Sequence, residues 1–329
     1  MNAVFVAIVN YRTGAMVAEC LASLAPQLVL LRGGRVIVVD NASGDDSVAL
    51  IEAAIDAHGW GDWVDVIAAP RNGGFAYGNN RAIERVRELD PQHAAIVFLN
   101  PDTIVRAGAL RALLSHLDSH ADAGIVGASI EDEQGAHQKS AHPFPSPLTE
   151  LVAGSQLGLA ARLVGVDELA EGRSQRCDWV SGAAFVVRRE VFERIGGLDE
   201  GYFLYFEEVD FCRRARRAGW TCWTVADARI VHREGSSTGI REARRRPAYW
   251  FESRRRYFTK SYGTIGLIAA DLLWAIGRAS YLVRRTVGLG GAPKLEPVPP
   301  RFALDLLIGD ARAVVRNLRG DAGMREKRA

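Results

Sequence analysis

Three carboxylates within four positions, Glu207, Glu208 and Asp210, stand in the run Tyr205-Phe206-Glu207-Glu208-Val209-Asp210, whose other members are aromatic or aliphatic. Charged groups avoid apolar surroundings unless they are paired, metal-bound or catalytic. Far away in sequence lie Asn100-Pro101-Asp102 and a lone imidazole, His232. A carboxylate able to take a proton, joined by an acid able to hold a cation, is the equipment of metal-assisted group transfer. The plainer alternatives are ion pairs with Arg213 or Arg214 for the acidic run and a structural role for the histidine.

The elements that must position these groups follow from the hydrophobic pattern. Val4–Val9, Arg35–Val39 and Ala94–Leu99 are short apolar runs rich in valine and isoleucine, the signature of strands buried on both faces. Thr13–Leu24, Asp45–Ala57 and Phe75–Leu89 carry helical spacing between them, with Asn41 and Ser43 as cap candidates for the second. Strand and helix in alternation predict an α/β fold around a mostly parallel sheet. Ligands of such sheets bind at the carboxyl ends of the strands, where Asn10, Asp40, Asn100 and Asp102 fall. Further along, Asp178–Arg188 reads as a strand and Arg189–Ile195 as a short helix closed by Gly196-Gly197. Asp210–Gly219 reads as a helix and Thr221–Ala226 as a strand, while Phe144–Arg176 reads as a variable loop and helix region.

The block Asn72-Gly73-Gly74-Phe75-Ala76-Tyr77-Gly78-Asn79-Asn80 opens a helical pattern with glycines, which let a backbone approach a ligand closely. No Gly-Lys-Ser or Gly-Lys-Thr follows it, so it is not a Walker loop, and no Gly-x-Gly-x-x-Gly follows the first strand, which argues against a dinucleotide dehydrogenase. Val9-Asn10-Tyr11, Val38-Val39-Asp40-Asn41-Ala42-Ser43, the glycine block, Leu99-Asn100-Pro101-Asp102, Gly182-Ala183, Phe206–Asp210 and His232 occur in one order. That ordered set resembles the inverting family 2 glycosyltransferases of GT-A fold, and most closely their rhamnosyltransferase-like branch, over residues 3–240.

The resemblance implies roles. Asp40 would hold a uracil or thymine base, and Asn10, Asn41, Asn72, Gly73, Gly74 and Asn80 would line the donor nucleotide. Asn100-Pro101-Asp102 stands where the family has Asp-x-Asp; Asp102 would bind Mg²⁺ or Mn²⁺ with His232, and Asn100 would touch ribose or a water. Glu208 would be the base, with Glu207 and Asp210 as alternates, and Trp179, Ser181, Gly182 and Tyr205 would form the acceptor wall. Relatives often have Asp at the position of Glu208. The branch suggests dTDP-L-rhamnose as donor and a polyprenyl-diphosphate-linked or polysaccharide acceptor of the cell envelope. Rivals are a sugar-1-phosphate nucleotidyltransferase, disfavoured by Asn10-Tyr11-Arg12-Thr13-Gly14 after the first strand, and a sugar-nucleotide-binding protein with a decayed site.

Composition sets the frame. The 329 residues allow a large domain with an appendage, 48% are hydrophobic, and the net charge of +2 implies no global polyelectrolyte partner. Between Arg241 and Lys260, however, eight basic residues face only Glu242 and Glu252, which suggests an anionic surface. Tyr249, Trp250, Phe251, Tyr257 and Phe258 look like a packing or interfacial set, so nucleic acid is disfavoured. Thr264–Val283 is apolar but interrupted by Asp271 and Arg278, which favours an interfacial amphipathic or packed helix over a full span. Gly288–Pro300 reads as a linker before a last helix with a basic tail. We therefore expect a catalytic domain over 1–240 and a helical region over 241–329, peripheral on the inner face of the plasma membrane. Four cysteines without Cys-x-x-Cys spacing read as free thiols, and the N-terminus has no basic stretch or cleavage site, an expectation of cytosolic synthesis.

Overall fold

Alternate residues of the apolar strands face two different cores. On β1 (Val4–Asn10), Val4, Val6 and Ile8 join one cluster while Phe5 and Ala7 join the other. This is the period of two that a strand imposes, and it explains why β1, β2 (Val36–Asp40) and β4 (Ala95–Leu99) are buried along their whole length. Helices α1 (Gly14–Leu24), α2 (Ser47–His58) and α4 (Ala109–Ser119) close the first core. The second is closed by α3 (Gly74–Leu89), α6 (Arg189–Ile195) and α7 (Glu207–Arg217).

The computed structural model describes residues 2–157, 169, 172–233, 245–289 and 299–326, which divide into two compact units. The first holds residues 2–144 and 172–233. With β3 (Val64–Ala68), its sheet begins as the parallel order β3-β2-β1-β4. Beyond β4 the order is β11 (Ala184–Arg188), β6 (Ala123–Glu131), β12 (Thr221–His232) and β5 (Thr103–Val105). There β11 is antiparallel to both β4 and β6, and β5 is antiparallel to β12. The parallel half is as the sequence indicates, and the second half makes the whole sheet mixed.

Several boundaries differ from expectation in ways that matter for the site. Asp178–Arg188 is not one strand. It breaks into β10 (Trp179–Val180), which pairs with β8 (Ala141–His142), and β11, with Ser181-Gly182-Ala183 turning between them. Strand β12 runs on to His232, and α7 begins at Glu207 rather than Asp210, so the acidic run is the first turn of that helix. Asn41 and Ser43 do not cap α2, whose N-cap is Asp46. Beneath the site, β9 (Gln175–Cys177) pairs antiparallel with β12, and Cys177 and Cys222 are register partners with their Sγ atoms 3.9 Å apart. Cys212 of α7 also contacts Cys222. Cys20 lies buried elsewhere, its thiol pushed up to about 12 by burial.

The second unit holds residues 145–157, 245–289 and 299–326, so it takes a segment from inside the chain as well as the C-terminal region. Its helix α5 (Pro147–Ser155) starts with a capping box between Ser146 and Thr149 and proline at its first position. Helix α8 (Ala248–Thr286) breaks direction at Gly263 (φ 71°), and α9 (Phe302–Glu326) follows. Glycines let α5 and α8 meet closely: a Cβ on Gly154 would lie 2.3 Å from the Trp274 carbonyl oxygen, and one on Gly277 2.5 Å from that of Leu151. Arg254, 1% exposed, donates to Glu150, Asp271 and Asp310, so one guanidinium links all three helices. Of the expected basic cluster, Arg241, Glu242 and Arg244 lie outside the described residues, as do most of the Gly288–Pro300 linker and part of Phe144–Arg176.

Candidate active site

Asn10 and Asp40 end neighbouring parallel strands and are register partners. The Asn10 Nδ2 donates to Asp40 Oδ1 at 2.7 Å and to Ser43 Oγ at 3.1 Å, and its Oδ1 accepts from Thr13 N–H and Oγ1. Asn10 is thus fully buried and fully engaged. Its amide fixes Asp40. Asp40 also accepts from the Ser43 hydroxyl and backbone N–H, which leaves one of its oxygens able to take a further donor. Asn41 turns the other way, donating to Asn72 Oδ1 and to the Gly74 carbonyl, both at 3.0 Å, while its own Oδ1 is buried without a partner.

The glycine block serves the protein's own packing. Gly74 has φ +86°, and a Cβ on it would lie 1.9 Å from the Phe203 carbonyl oxygen, which accepts the Phe75 N–H at 2.8 Å. A Cβ on Gly73 would strike the Tyr77 ring. Asn80 donates to the Leu198 carbonyl and to Glu200 and accepts the Leu198 N–H, all at 2.9 Å. Asn72 accepts the Gly74 N–H as well as the Asn41 amide. The block therefore holds the Leu198–Phe206 turn in place, with the Asn80 amide used at both ends.

That turn delivers the acidic run. Tyr205 (φ 70°) and Phe206 (φ 68°) are consecutive non-glycine residues in the left-handed region, a conformation that costs of order 1–3 kcal/mol each and survives only where the surroundings enforce it. They aim the first turn of α7 at Gly182, on which a Cβ would lie 3.8 Å from the Glu208 carboxylate carbon. The three acids then separate by environment. Asp210 is paired with Arg214 at 2.8 Å, and Arg214 also donates to the Ile195 and Gly197 carbonyls, so this pair pins α7 to the turn before it. In this pair Asp210 positions α7. Glu207 and Glu208 each keep a buried Oε2 without a hydrogen-bond partner.

Burial pushes both carboxyls up. Glu207 is held well above the usual carboxylate range by burial and then by the charge of Glu208. Glu208 is raised to about 7 by burial, offset in part by hydrogen bonds from its own and the Val209 backbone N–H groups. Glu131 shows the contrast: it is fully buried, yet Arg106 and Arg229 satisfy it at 2.7 and 2.8 Å, and it lies below its ordinary value. Buried acids with arginine partners hold the fold together, whereas buried acids without them are candidates for chemistry.

A third group closes the circuit. Ala183, next to Gly182, accepts the Asn100 N–H through its carbonyl at 2.8 Å. Beside Asn100, the antiparallel pairing of Thr103 with His232 brings Asp102 and His232 together. The His232 Nε2 lies 3.3 Å from Asp102 Oδ1 and 3.3 Å from Asn100 Nδ2. Both Asp102 oxygens are buried and accept no hydrogen bond. A buried carboxylate with unused oxygens next to an imidazole fits a divalent cation, and no set of three or more His, Cys, Asp or Glu ligands occurs among the described residues. The remaining ligands would come from the substrate diphosphate and water. Of the residues expected at the acceptor wall, Gly182 faces the Glu208 carboxylate, with Ser181 beside it in the turn and Tyr205 in the turn that leads into α7. Trp179 is committed elsewhere: its indole N–H bonds the Pro143 carbonyl at 2.9 Å and one face stacks on His142 at 4.1 Å.

Sequence reasoning offered Arg214 as an ion-pair partner of the acidic run, as the Asp210–Arg214 pair bears out, but missed its bonds to the Ile195 and Gly197 carbonyls and missed Phe203 as the residue against which Gly74 closes. Only the glycine pair hinted at the second.

A family model described as "Glycosyltransferase like family 2" matches residues 2–263. Among curated proteins, the chain is 29% identical over 247 residues to N-acetylglucosaminyl-diphospho-decaprenol L-rhamnosyltransferase of Mycobacterium tuberculosis, covering 70% of this chain and 76% of that one. It is 30% identical over 164 residues to rhamnosyltransferase WbbL of Escherichia coli, covering 48% and 60%. Among solved structures, the mannosyltransferase PcManGT from Pyrobaculum calidifontis, in complex with GDP-Man and Mn²⁺, superposes with a TM-score of 0.55 at 15% identity over 99% of this chain and 84% of its own. That likeness extends to the fold. With a family match over most of its length and a mixed sheet carrying carboxylates at its strand ends, the chain belongs to glycosyltransferase family 2 and has the GT-A fold.

Proposed function

We propose that this glycosyltransferase moves L-rhamnose from dTDP-L-rhamnose onto a lipid-linked or polysaccharide acceptor of the cell envelope, by a single displacement that inverts the anomeric configuration. The observation that carries this reading is the pair Glu207-Glu208: each with a buried oxygen that accepts no hydrogen bond, without arginine partners, and joined through Gly182-Ala183 and Asn100 to Asp102 and His232. The names of the relatives, both rhamnosyltransferases, support the sugar.

The spare lone pair of Asp40 accepts the imide N–H of the thymine base, with Asn10 and Ser43 holding the carboxylate in place. Glu208 takes the proton from the acceptor hydroxyl as that oxygen attacks the anomeric carbon. A base with its value near 7 is ionised often enough at neutral pH and still basic enough to drive the transfer. Glu207, its carboxyl pushed well above the usual carboxylate range by burial and by the charge of Glu208, sits beside it. Asp102 and His232 would hold Mg²⁺ or Mn²⁺, which supplies positive charge to the leaving diphosphate. With a lipid-linked acceptor, the enzyme works peripherally on the cytoplasmic face of the plasma membrane.

The test is a panel of UDP-, GDP- and dTDP-sugars, with and without Mg²⁺ or Mn²⁺, followed by nucleotide release. Metal-dependent release of dTDP from dTDP-L-rhamnose is expected. Preference for another sugar nucleotide would overturn the donor, and binding of none would overturn the enzymatic reading.

A further inference from the structure

Helix α8 is apolar on two opposite sides. Toward its own unit it buries Leu267, Ala270, Trp274 and Tyr281. On the far side Ile265 (84% exposed), Ile268, Leu272 (59%), Ile276 (59%), Val283 (61%) and Val287 follow one another at steps of three, four or seven residues. At 1.5 Å per residue this is a continuous stripe about 33 Å long. Soluble proteins rarely leave so large an apolar face in water, and a helix apolar all round is normally enclosed by protein or lipid. Exposed Leu304, Leu307 and Ile308 on α9 add to the apolar surface of the same unit.

Charge identifies the cover. The stripe itself carries no charged side chain; Asp271 lies on the inner side, held by Arg254. Exposed basic residues stand at both ends, Arg256 and Lys260 before the break at Gly263 and Arg285 after it. From 245 to 289 there are nine basic residues and only two acidic ones, Glu252 and Asp271. A second copy of the chain would set one arginine-rich face against another. A bilayer with anionic headgroups offers hydrocarbon for the stripe and phosphate for its ends.

We infer that the outer face of α8 is a docking surface for an anionic phospholipid bilayer, with the helix lying in the plane of the membrane. By length and composition α8 could cross a bilayer, but its inner side is packed against α5 through Gly154 and Gly277 and carries the Arg254 ion pairs. That side cannot face lipid, so only the outer stripe enters. The use of such a seat rests on the lipid-linked acceptor proposed above; vesicle binding itself does not.

The test is co-flotation of the full-length protein with vesicles of phosphatidylcholine alone or with phosphatidylglycerol, for the wild type and for the triple variant Ile268→Ser, Leu272→Ser, Ile276→Ser. All three side chains are exposed, so the variant should fold, as circular dichroism would verify. Expected is binding to the anionic vesicles that falls at least about tenfold in the triple variant, with release of nucleotide from dTDP-sugar unchanged. Equal binding by the triple variant, or equal binding to neutral vesicles, would overturn the inference. So would a wild type that ignores vesicles and elutes as a dimer which the triple variant turns into a monomer. Vesicle binding as expected without sugar-nucleotide turnover in either protein would leave the membrane seat standing and remove the catalytic reading.

Discussion

Glu208 carries the sharpest consequences at the scale of single residues. Glu208→Gln is isosteric and cannot accept the acceptor's proton; transfer should fall at least about 100-fold while nucleotide affinity is kept. Turnover near the wild-type rate would move the base elsewhere. In the wild type, kcat/KM should rise with pH through about 7, because the ionised carboxylate is the active form. The same shift acts on stability with a definite sign. The folded-state value lies above the ordinary 4.5, so the folded protein holds a proton that the unfolded chain releases. Stability from this group is complete below about 4.5 and is lost as pH rises through about 7. Glu208→Gln should therefore melt at a higher temperature than the wild type at pH 8, and the gap should vanish near pH 4. An acid with one buried oxygen left without a hydrogen bond and no arginine partner is kept at a cost to stability, a common mark of a working residue.

At the scale of elements, the turn from Leu198 to Phe206 is held from three directions: by Asn80, by Gly74 against the Phe203 carbonyl, and by Arg214 with Asp210. Gly74→Ala would bring a Cβ into the Phe203 oxygen from a left-handed backbone, and should destabilise by roughly 2–4 kcal/mol in chemical denaturation. Asn80→Ala leaves the core intact and loosens only the turn. It should lower kcat by about tenfold to 100-fold with nucleotide affinity unchanged, whereas a direct donor contact would show in affinity. These clasps explain what could be read in the sequence and what could not. Asp40, Asp102, Glu208 and His232 were legible as chemistry because carboxylates and imidazoles at strand ends or among aromatics are unusual. The pairing of Arg214 with the acidic run was legible as the plainer alternative; the contacts of Asn80 were not, because their partner Leu198 lies 118 positions away. The parallel strands were legible as valine and isoleucine runs. Strands β5, β9 and β10 are two or three residues long, too short to show a period, so the antiparallel pairings of β5 and β9 with β12 stayed hidden.

At the scale of the whole molecule, the chain leaves its first unit at Phe144 to build α5 and later returns to complete the helical unit with α8 and α9. The catalytic domain is thus not a simple N-terminal half: a cut near residue 240 strands α5 without the helix that covers it. Arg254 is the clearest probe of the helical unit. Arg254→Met removes the guanidinium that answers Glu150, Asp271 and Asp310, and should cost roughly 3–5 kcal/mol, since unpaired buried charges remain. If the unit unfolds separately, the loss should appear as an earlier first transition in denaturant while sugar-nucleotide binding persists; an unchanged profile would mean the ion pairs contribute nothing net.

Cys177 and Cys222, opposite one another on neighbouring strands, amount to a latent covalent staple. Facing positions on an antiparallel ladder lie within the backbone separation a disulfide needs. A thiol oxidant such as diamide would take up the two hydrogens and leave the strands joined, so protein handled without reductant should titrate two thiols fewer than the four in its sequence. Peptide mapping should place the link between 177 and 222, with Cys20 still reduced in its buried site. Because β9 leads into Ser181-Gly182 and β12 ends at His232, the staple would lock together two strands that run into the candidate site, and the redox history of a preparation would become a variable in any measured rate.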